Sequence, residues 1–262
     1  MFITTRFFPT RALGSSRAHK VLERNVIVYR RNWTIIDTGF FEPIFYLLGI
    51  GFGLGTLVGD VGDIPYAAFV APGLMATAAM NGALFESTFN LFFKLKYAKT
   101  FDAILSTPLG PSDIAVGEVS WALTRGLLYA IAFLVVMLAL GLVLSPWGIL
   151  MIPGALLIGL AAAAVGMAAT TFMRKWQDFD LVTVVTMPLF LFSGTFYPIS
   201  VYPDWLQAIV EVTPLYRGVH MLRAFTTGVI DPMVLVDIAY LTIMGLVGVT
   251  ITSRRLKSLL LK

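Results

Sequence analysis

No charged residue occurs between Arg125 and Arg174, and this stretch constrains the fold more than any other part of the chain. A helix crosses the hydrocarbon layer of a bilayer with about 20 mostly apolar residues, so the stretch is too long for one crossing. The turn-forming sequence SPWG at 145–148 divides it. Two membrane-spanning helices are therefore predicted here, at about 113–143 and about 148–173.

The composition extends this prediction to the whole chain. Of the 262 residues, 58% are hydrophobic and 13% are charged, and the mean hydropathy is +0.84. A soluble domain carries about 25% charged residues, and a core of this size cannot bury so much apolar surface. An all-α integral membrane protein with six transmembrane helices is predicted. Its spans are about 33–58, 64–93, 113–143, 148–173, 181–199 and 233–253.

The distribution of lysine and arginine predicts the orientation. Sixteen of the 19 lie before the first span, between spans two and three, between spans four and five, or after span six. Arg217 and Arg223 lie on the opposite side. Basic loops stay in the cytoplasm, so both termini are predicted to be cytoplasmic. Residues 1–32 hold seven of the basic residues and no apolar run long enough for a secretory signal.

Two amphipathic regions lie outside the spans. Residues 17–31 alternate basic and apolar side chains and predict an interfacial helix on the cytoplasmic membrane surface. Residues 200–232 predict two short helices that are separated at Pro214. We interpret this second region as an extracellular re-entrant helical hairpin; two helices lying flat at the interface are the alternative.

Motifs for catalysis, metal binding and nucleotide binding are lacking. The chain has no cysteine, and His19 and His220 lie on opposite sides of the predicted topology, which argues against a shared metal site in one subunit. No Walker A sequence occurs, and the glycine-rich GIGFGLG at 49–55 lies inside an apolar span. We predict no catalytic residue, no metal, no cofactor bound by this chain, and no nucleic-acid partner.

Among the ionisable residues inside predicted spans, we single out Glu42, Glu86, Arg125 and Asp237. Helical rise places the first three in the cytoplasmic half of the bilayer, which predicts a polar cluster, with Glu118 as another candidate partner for Arg125. Such a cluster either holds helices together or lines a cavity or gate, and the sequence favours neither. Asp237 is predicted to reach the outer membrane surface.

The connection after the second span, YAKTFDAILSTPLGPSD at 97–113, predicts a short amphipathic helix that two prolines end. Tyr97, Phe101, Ile104 and Leu105 have helical spacing and form one apolar stripe. An exposed stripe of this kind is typical of a docking surface. A helix lying on the bilayer surface is the alternative.

Several segments together resemble a known family. They are ERNVIVYRRNW at 23–33, GFFEPIFYLLGIGFGLG at 39–55, FVAPGLMATAAMNGALFEST at 69–88, TFDAILSTPLGPSDIAVGE at 100–118, FSGTFYPIS at 192–200 and PDWLQAIVEVTPLYRGVHMLR at 203–223. In these segments the chain resembles the membrane (permease) subunit of type-2 ATP-binding-cassette exporters, in particular the nodulation J-like and daunorubicin-resistance permeases. The resemblance implies a single transmembrane domain over 1–262, in the bacterial inner membrane.

The resemblance also implies partners and a mechanism. A second permease, identical or related, and two ATPase subunits complete the transporter, and the ATPase subunits bind ATP and Mg. ATP binding closes the ATPase dimer, and a coupling helix after the second span carries that motion into the membrane. The residues that correspond to this helix, and that would sit in the ATPase groove, are Phe101, Asp102, Ala103, Ile104 and Leu105.

The cargo implied by the resemblance is amphiphilic: a drug, a lipid or a lipid-linked saccharide. Candidate residues of its path, chosen by position and side-chain type, are Glu42, Phe45, Phe85 and Phe192. A secondary transporter or channel that works without ATP is the alternative function. It predicts an ion site near the middle of the membrane, where this sequence has few ionisable residues. A membrane-embedded enzyme or scaffold subunit is a third possibility, but the polar catalytic cluster that an enzyme needs is missing.

Overall fold

The computed structural model describes residues 17–30 and 41–260. Within these ranges the chain is helical except for loops and a two-residue antiparallel strand pair, in which Asp60 lies opposite Pro65. The all-α prediction is therefore confirmed for this part of the chain. The first predicted span begins at 33, and its first eight residues lie outside the described residues.

Among the described residues, five helices are long and apolar enough to cross a membrane. They match five of the six predicted spans to within several residues at most ends, although the second and last extend past their predicted ends. In chain order they are α2 (Phe41–Val58), α3 (Tyr66–Tyr97), α5 (Pro111–Ala139), α6 (Pro146–Thr170, which starts with a 3₁₀ turn over Pro146–Leu150) and α10 (Met233–Leu260). A helix before them, α1 (Ala18–Arg30), agrees with the predicted interfacial helix.

The predicted fifth span, 181–199, is shorter in the structure than the sequence suggested. Its helix, α7, covers Asp180–Leu191 and follows a 3₁₀ turn at Trp176–Phe179. Twelve α-helical residues rise about 18 Å, against about 30 Å of hydrocarbon. Beyond α7 the chain turns at Gly194, whose φ is +69°. The turn is buried in protein, which is where non-helical backbone is tolerated at membrane depth.

Helix α7 also stands apart from the rest of the bundle. None of its residues is buried, and it lies between two cavities of about 500 Å³ and about 460 Å³. Contacts with the bundle occur next to both of its ends. Before α7, Phe179 stacks on Phe89 of α3 with ring centroids 4.3 Å apart, and after it Arg223 donates a hydrogen bond of 2.8 Å to the Gly194 carbonyl oxygen.

Close packing of α3, α6 and α10 forms the centre of the bundle. Small residues make this possible, because lipid gives helices no hydrophobic reason to associate and close backbone contact supplies the attraction instead. At Gly248 of α10, an added Cβ would lie 2.7 Å from the carbonyl carbon of Ala164 in α6. This glycine therefore sets the distance between the two helices.

Two helices occupy the region predicted as a hairpin: α8 (Asp204–Val212) and α9 (Pro214–Thr227). The break falls at Pro214, as predicted, and the Thr213 hydroxyl caps α9 by accepting a hydrogen bond from the Tyr216 amide. Leu215, Val219 and Leu222 are fully buried, so α9 is part of the core. The depth of the pair in the membrane stays a prediction.

Candidate functional site

A group of four charged residues lies between α3 and α5, of which Glu86, Glu118 and Arg125 are buried and Lys94 is half-buried. Arg125 contacts Glu86 at 2.5 Å, Lys94 contacts Glu118 at 2.7 Å, and Lys94 also approaches Glu86 at 3.5 Å. Glu86 and Glu118 are each 2% exposed. We call these four residues the inner charge cluster, because the sequence predicts that they lie in the cytoplasmic half of the membrane. Two positive and two negative charges alternate in it, so its net charge is zero, which makes its burial acceptable.

Helix α1 docks on this cluster through polar side chains. The Asn25 amide donates to Glu118 at 3.2 Å, and the Tyr29 hydroxyl donates to Glu86 at 3.2 Å. Burial, together with the nearby Glu86 carboxylate, raises the pKa of Tyr29 above its ordinary value, so its hydroxyl remains a donor. The predicted interfacial helix is thereby joined to two spans.

The polar cluster expected from the sequence is partly different in the structure. Glu86 and Arg125 pair as predicted, but Glu118 pairs with Lys94 and not with Arg125. Glu42 is exposed and forms no ion pair among the residues that the structure describes. Sequence reasoning missed Lys94. The usable signal was its spacing of eight residues from Glu86, which places both on one face of a helix.

The cavity of about 500 Å³ lies beside the inner charge cluster and is lined by α2, α3, α5 and α7. Two of the four candidate path residues, Glu42 and Phe85, line it. The other two, Phe45 and Phe192, do not; Phe45 stacks on Phe41 at 6.3 Å, and Phe192 contacts Tyr202 at 5.7 Å.

The segment predicted to couple to an ATPase forms a helix, α4 (Thr100–Leu105), but its orientation corrects the prediction. Phe101 is 1% exposed and Ile104 is 8% exposed, because both pack into the chain's own apolar core beside Ile114. They cannot sit in the groove of a partner in this arrangement. The exposed residues of α4 are Asp102 and Ala103, while Leu105 is half-buried.

A second charge group joins α9 to α10. Asp237, which is 0% exposed, accepts from Arg217 at 3.2 Å and contacts His220 Nδ1 at 2.6 Å, while His220 Nε2 lies 3.6 Å from Asp231. The sequence had suggested that Asp237 reaches the outer membrane surface. In the structure its carboxylate is instead buried and paired inside the protein.

The stability of the fold is expected to depend on pH through His220. Its hydrogen bond to Asp237 raises the pKa of His220 above the ordinary value of about 6.5. A raised pKa means that the protonated imidazolium stabilises the fold below pH of about 6.5 and that this contribution is lost as the pH rises through the folded-state pKa. The midpoint of thermal unfolding should fall over that range in the wild type but not in His220→Gln. Equal pH profiles for the two proteins would contradict this assignment.

Comparison with known proteins identifies the family of this chain. The sequence profile of the family described as "ABC-2 type transporter" matches residues 19–226. This chain belongs to that family. Nodulation protein J of Rhizobium leguminosarum bv. trifolii is 33% identical over 217 residues, which cover 82% of this chain and 83% of the relative. Nodulation protein J of Sinorhizobium fredii is 31% identical, with 76% and 79% covered.

A more distant relative of this ABC-2 permease is named as a transport permease. "Inner membrane transport permease YadH" of Escherichia coli is 27% identical, with 79% of each chain covered. The resemblance predicted from the sequence is thereby confirmed. In the described part of the ABC-2 permease, features with functional potential include the inner charge cluster, the cavity beside α7 and the exposed side of α4.

Proposed function

We propose that this ABC-2 permease is the membrane subunit of an ATP-driven exporter in the bacterial inner membrane. In this proposal the domain 1–262 crosses the membrane six times, counting α7 and the buried turn at 193–195 as one crossing, with both termini in the cytoplasm. It pairs with a second permease, identical or related, and with two ABC ATPases that bind ATP and Mg. The cargo is amphiphilic: a drug, a lipid or a lipid-linked saccharide.

The observation that carries the proposal is the packing of α4. Its buried residues Phe101 and Ile104 belong to an apolar cluster that includes Val119 of α5, Met167 of α6 and Leu256 of α10. A displacement of α4 would therefore be passed through this shared cluster to the spans that contribute to it, because close-packed cores transmit strain. The exposed side of α4, at Asp102 and Ala103, is accessible to a partner subunit.

The cavity beside α7 supports an export path for an amphiphile. Its lining combines aromatic rings with hydroxyl, amide and charged groups, and its volume is within the usual range for small-molecule sites, about 300–1,000 Å³. The exposed apolar side chains of α2 and α7, such as Phe45 and Val184, fit contact with lipid and with the second permease. The path would then run between the two permeases.

A charge change on the exposed side of α4 tests the coupling. Asp102→Lys combined with Ala103→Arg is expected to lower substrate-stimulated ATP hydrolysis by at least about tenfold, since central interface positions each contribute on the order of 1–2 kcal/mol. The ABC ATPase that co-purifies with the wild-type chain is used for both measurements, which are the rate of ATP hydrolysis and co-purification with the variant. The substitutions leave the buried Phe101 and Ile104 in place, so the fold should be kept.

Asp63→Lys is the matched control, because Asp63 is also an exposed acid but lies in the turn between the two strands. It should leave hydrolysis unchanged. Unchanged association and stimulated hydrolysis in the α4 variant would overturn the coupling role. Uphill transport by the purified chain alone would instead favour the ATP-independent transporter.

A further inference from the structure

The cavity beside α7 contains one carboxylate that no residue within 17–30 and 41–260 neutralises. Among the residues that the structure describes, Glu42 and Arg125 are the two charged residues in its lining. Arg125 is neutralised by Glu86 at 2.5 Å, whereas Glu42 has no ion-pair or hydrogen-bond partner within the described ranges. The charge that remains in the lining is therefore negative. An unpaired ionisable residue at membrane depth indicates a functional site, because insertion of the charge is otherwise unfavourable.

Aromatic rings surround the same space. Five of them line the cavity: Tyr46, Phe85, Phe89, Tyr129 and Phe190. Several are held by mutual contacts, with Tyr46 edge-on to Phe190 at 5.6 Å and Phe85 stacked on Phe89 at 4.9 Å between ring centroids. The faces of aromatic rings attract cations, and the attraction grows when water is excluded.

We propose that this cavity binds a lipophilic organic cation, a quaternary or protonated onium group on an apolar body, with Glu42 as its counter-ion. The inference rests on the proposed export function and names the cargo class that the site accepts. The carboxylate supplies the charge, the rings of Tyr46 and Phe85 contact the onium group and its apolar body, and Thr183 and Asn81 offer hydrogen bonds to an ammonium group. The open position of α7 gives such a ligand room to enter from the membrane.

Binding to the purified permease, without ATPase and without ATP, tests the proposal directly. The probes are tetraphenylphosphonium and its size-matched anion, tetraphenylborate, added to the full chain in lipid nanodiscs, with partition into empty nanodiscs subtracted. Tetraphenylphosphonium should bind saturably, and tetraphenylborate should not compete with it. Glu42→Gln should weaken the binding of the cation by about tenfold, because it removes the counter-charge and keeps the size of the side chain.

Two further variants separate charge from packing. Glu42→Asp keeps the carboxylate and should retain most of the affinity, and Asp63→Asn, which removes an exposed acid elsewhere, should leave affinity unchanged. Phe85→Leu should weaken binding about fivefold through loss of the ring face. Equal affinity of Glu42→Gln and wild type would overturn the proposal, and so would saturable binding of both ions.

The outcome is independent of the coupling test. If the cation fails to bind while the Asp102 and Ala103 variant loses stimulated hydrolysis, the cargo assignment falls and the export function stands. If the cation binds and the α4 variant hydrolyses ATP normally, the site stands and the coupling assignment falls.

Discussion

Arg125→Met is expected to lower the free energy of unfolding by about 3–5 kcal/mol, the usual effect of removing one partner of a buried ion pair. The variant would leave the Glu86 carboxylate, 2% exposed, with only the more distant Lys94 ammonium at 3.5 Å and two neutral donors, Tyr29 and Asn90. The loss is measured by thermal and denaturant unfolding of the purified chain in detergent. Unfolding that matches wild type would contradict the structural role of the pair.

The double variant Glu86→Gln with Arg125→Met is the matched control. It removes both charges, so no uncompensated charge stays buried, and replacing a buried pair by neutral groups is often close to neutral in stability. Recovery of most of the loss would give a large coupling energy in the double-mutant cycle. If the double variant is no more stable than Arg125→Met, the destabilisation comes from lost packing and not from the charge.

Gly248→Leu is expected to cost about 3 kcal/mol, the upper end of the usual range for overpacking a core. Its Cβ would lie 2.7 Å from both the carbonyl carbon and the Cβ of Ala164. Because part of this obstacle is backbone, no side-chain rotation can relieve it, and α6 and α10 must separate. A fall in the midpoint of thermal unfolding, with loss of transport, is the expected readout.

Gly126→Ala serves as the control for the Gly248 variant. Gly126 also lies in a membrane helix packed on a neighbour, yet an added Cβ there would have ordinary contacts, 3.6 Å from the Ala79 carbonyl oxygen and 4.0 Å from the Ala83 Cβ. Alanine is the better helix former, so stability should hold or rise slightly. Equal stability of the Gly248 variant and the control would mean that close contact between α6 and α10 is not required.

Hydropathy predicted six spans, five of which coincide with long helices, but it placed the end of α7 wrongly. The apolar stretch continues to 199, while the helix stops at Leu191. Hydropathy measures preference for lipid and does not report where backbone hydrogen bonds change. The signals available in the sequence were Pro188 and Gly194; in the structure Pro188 lies near the end of the helix and Gly194 has a positive φ. The turn is stable because the protein around Ser193 and Thr195 provides partners that lipid lacks.

The stripe on α4 shows a different limit. Helical spacing identified Phe101 and Ile104 as one apolar face, and the structure keeps them on one face. Spacing cannot tell whether that face covers the chain's own core or a partner, because the burial of apolar area is favourable in either case. Only the tertiary structure decided it, by placing Phe101 and Ile104 in one apolar cluster with residues of α5, α6 and α10.

Each residue contributes its own preference for water or lipid, and these contributions add up along the chain. The sequence alone therefore determined that this is a helical membrane protein and approximately where most of its spans lie. The choice of polar partners is not local. Glu86 could have met several cations, and Glu42 could have joined the same cluster, but ion-pair energy falls off with distance and the distances depend on how α1, α3 and α5 pack. The tertiary structure therefore decided that Glu86 and Glu118 are neutralised and that Glu42 is left facing a cavity.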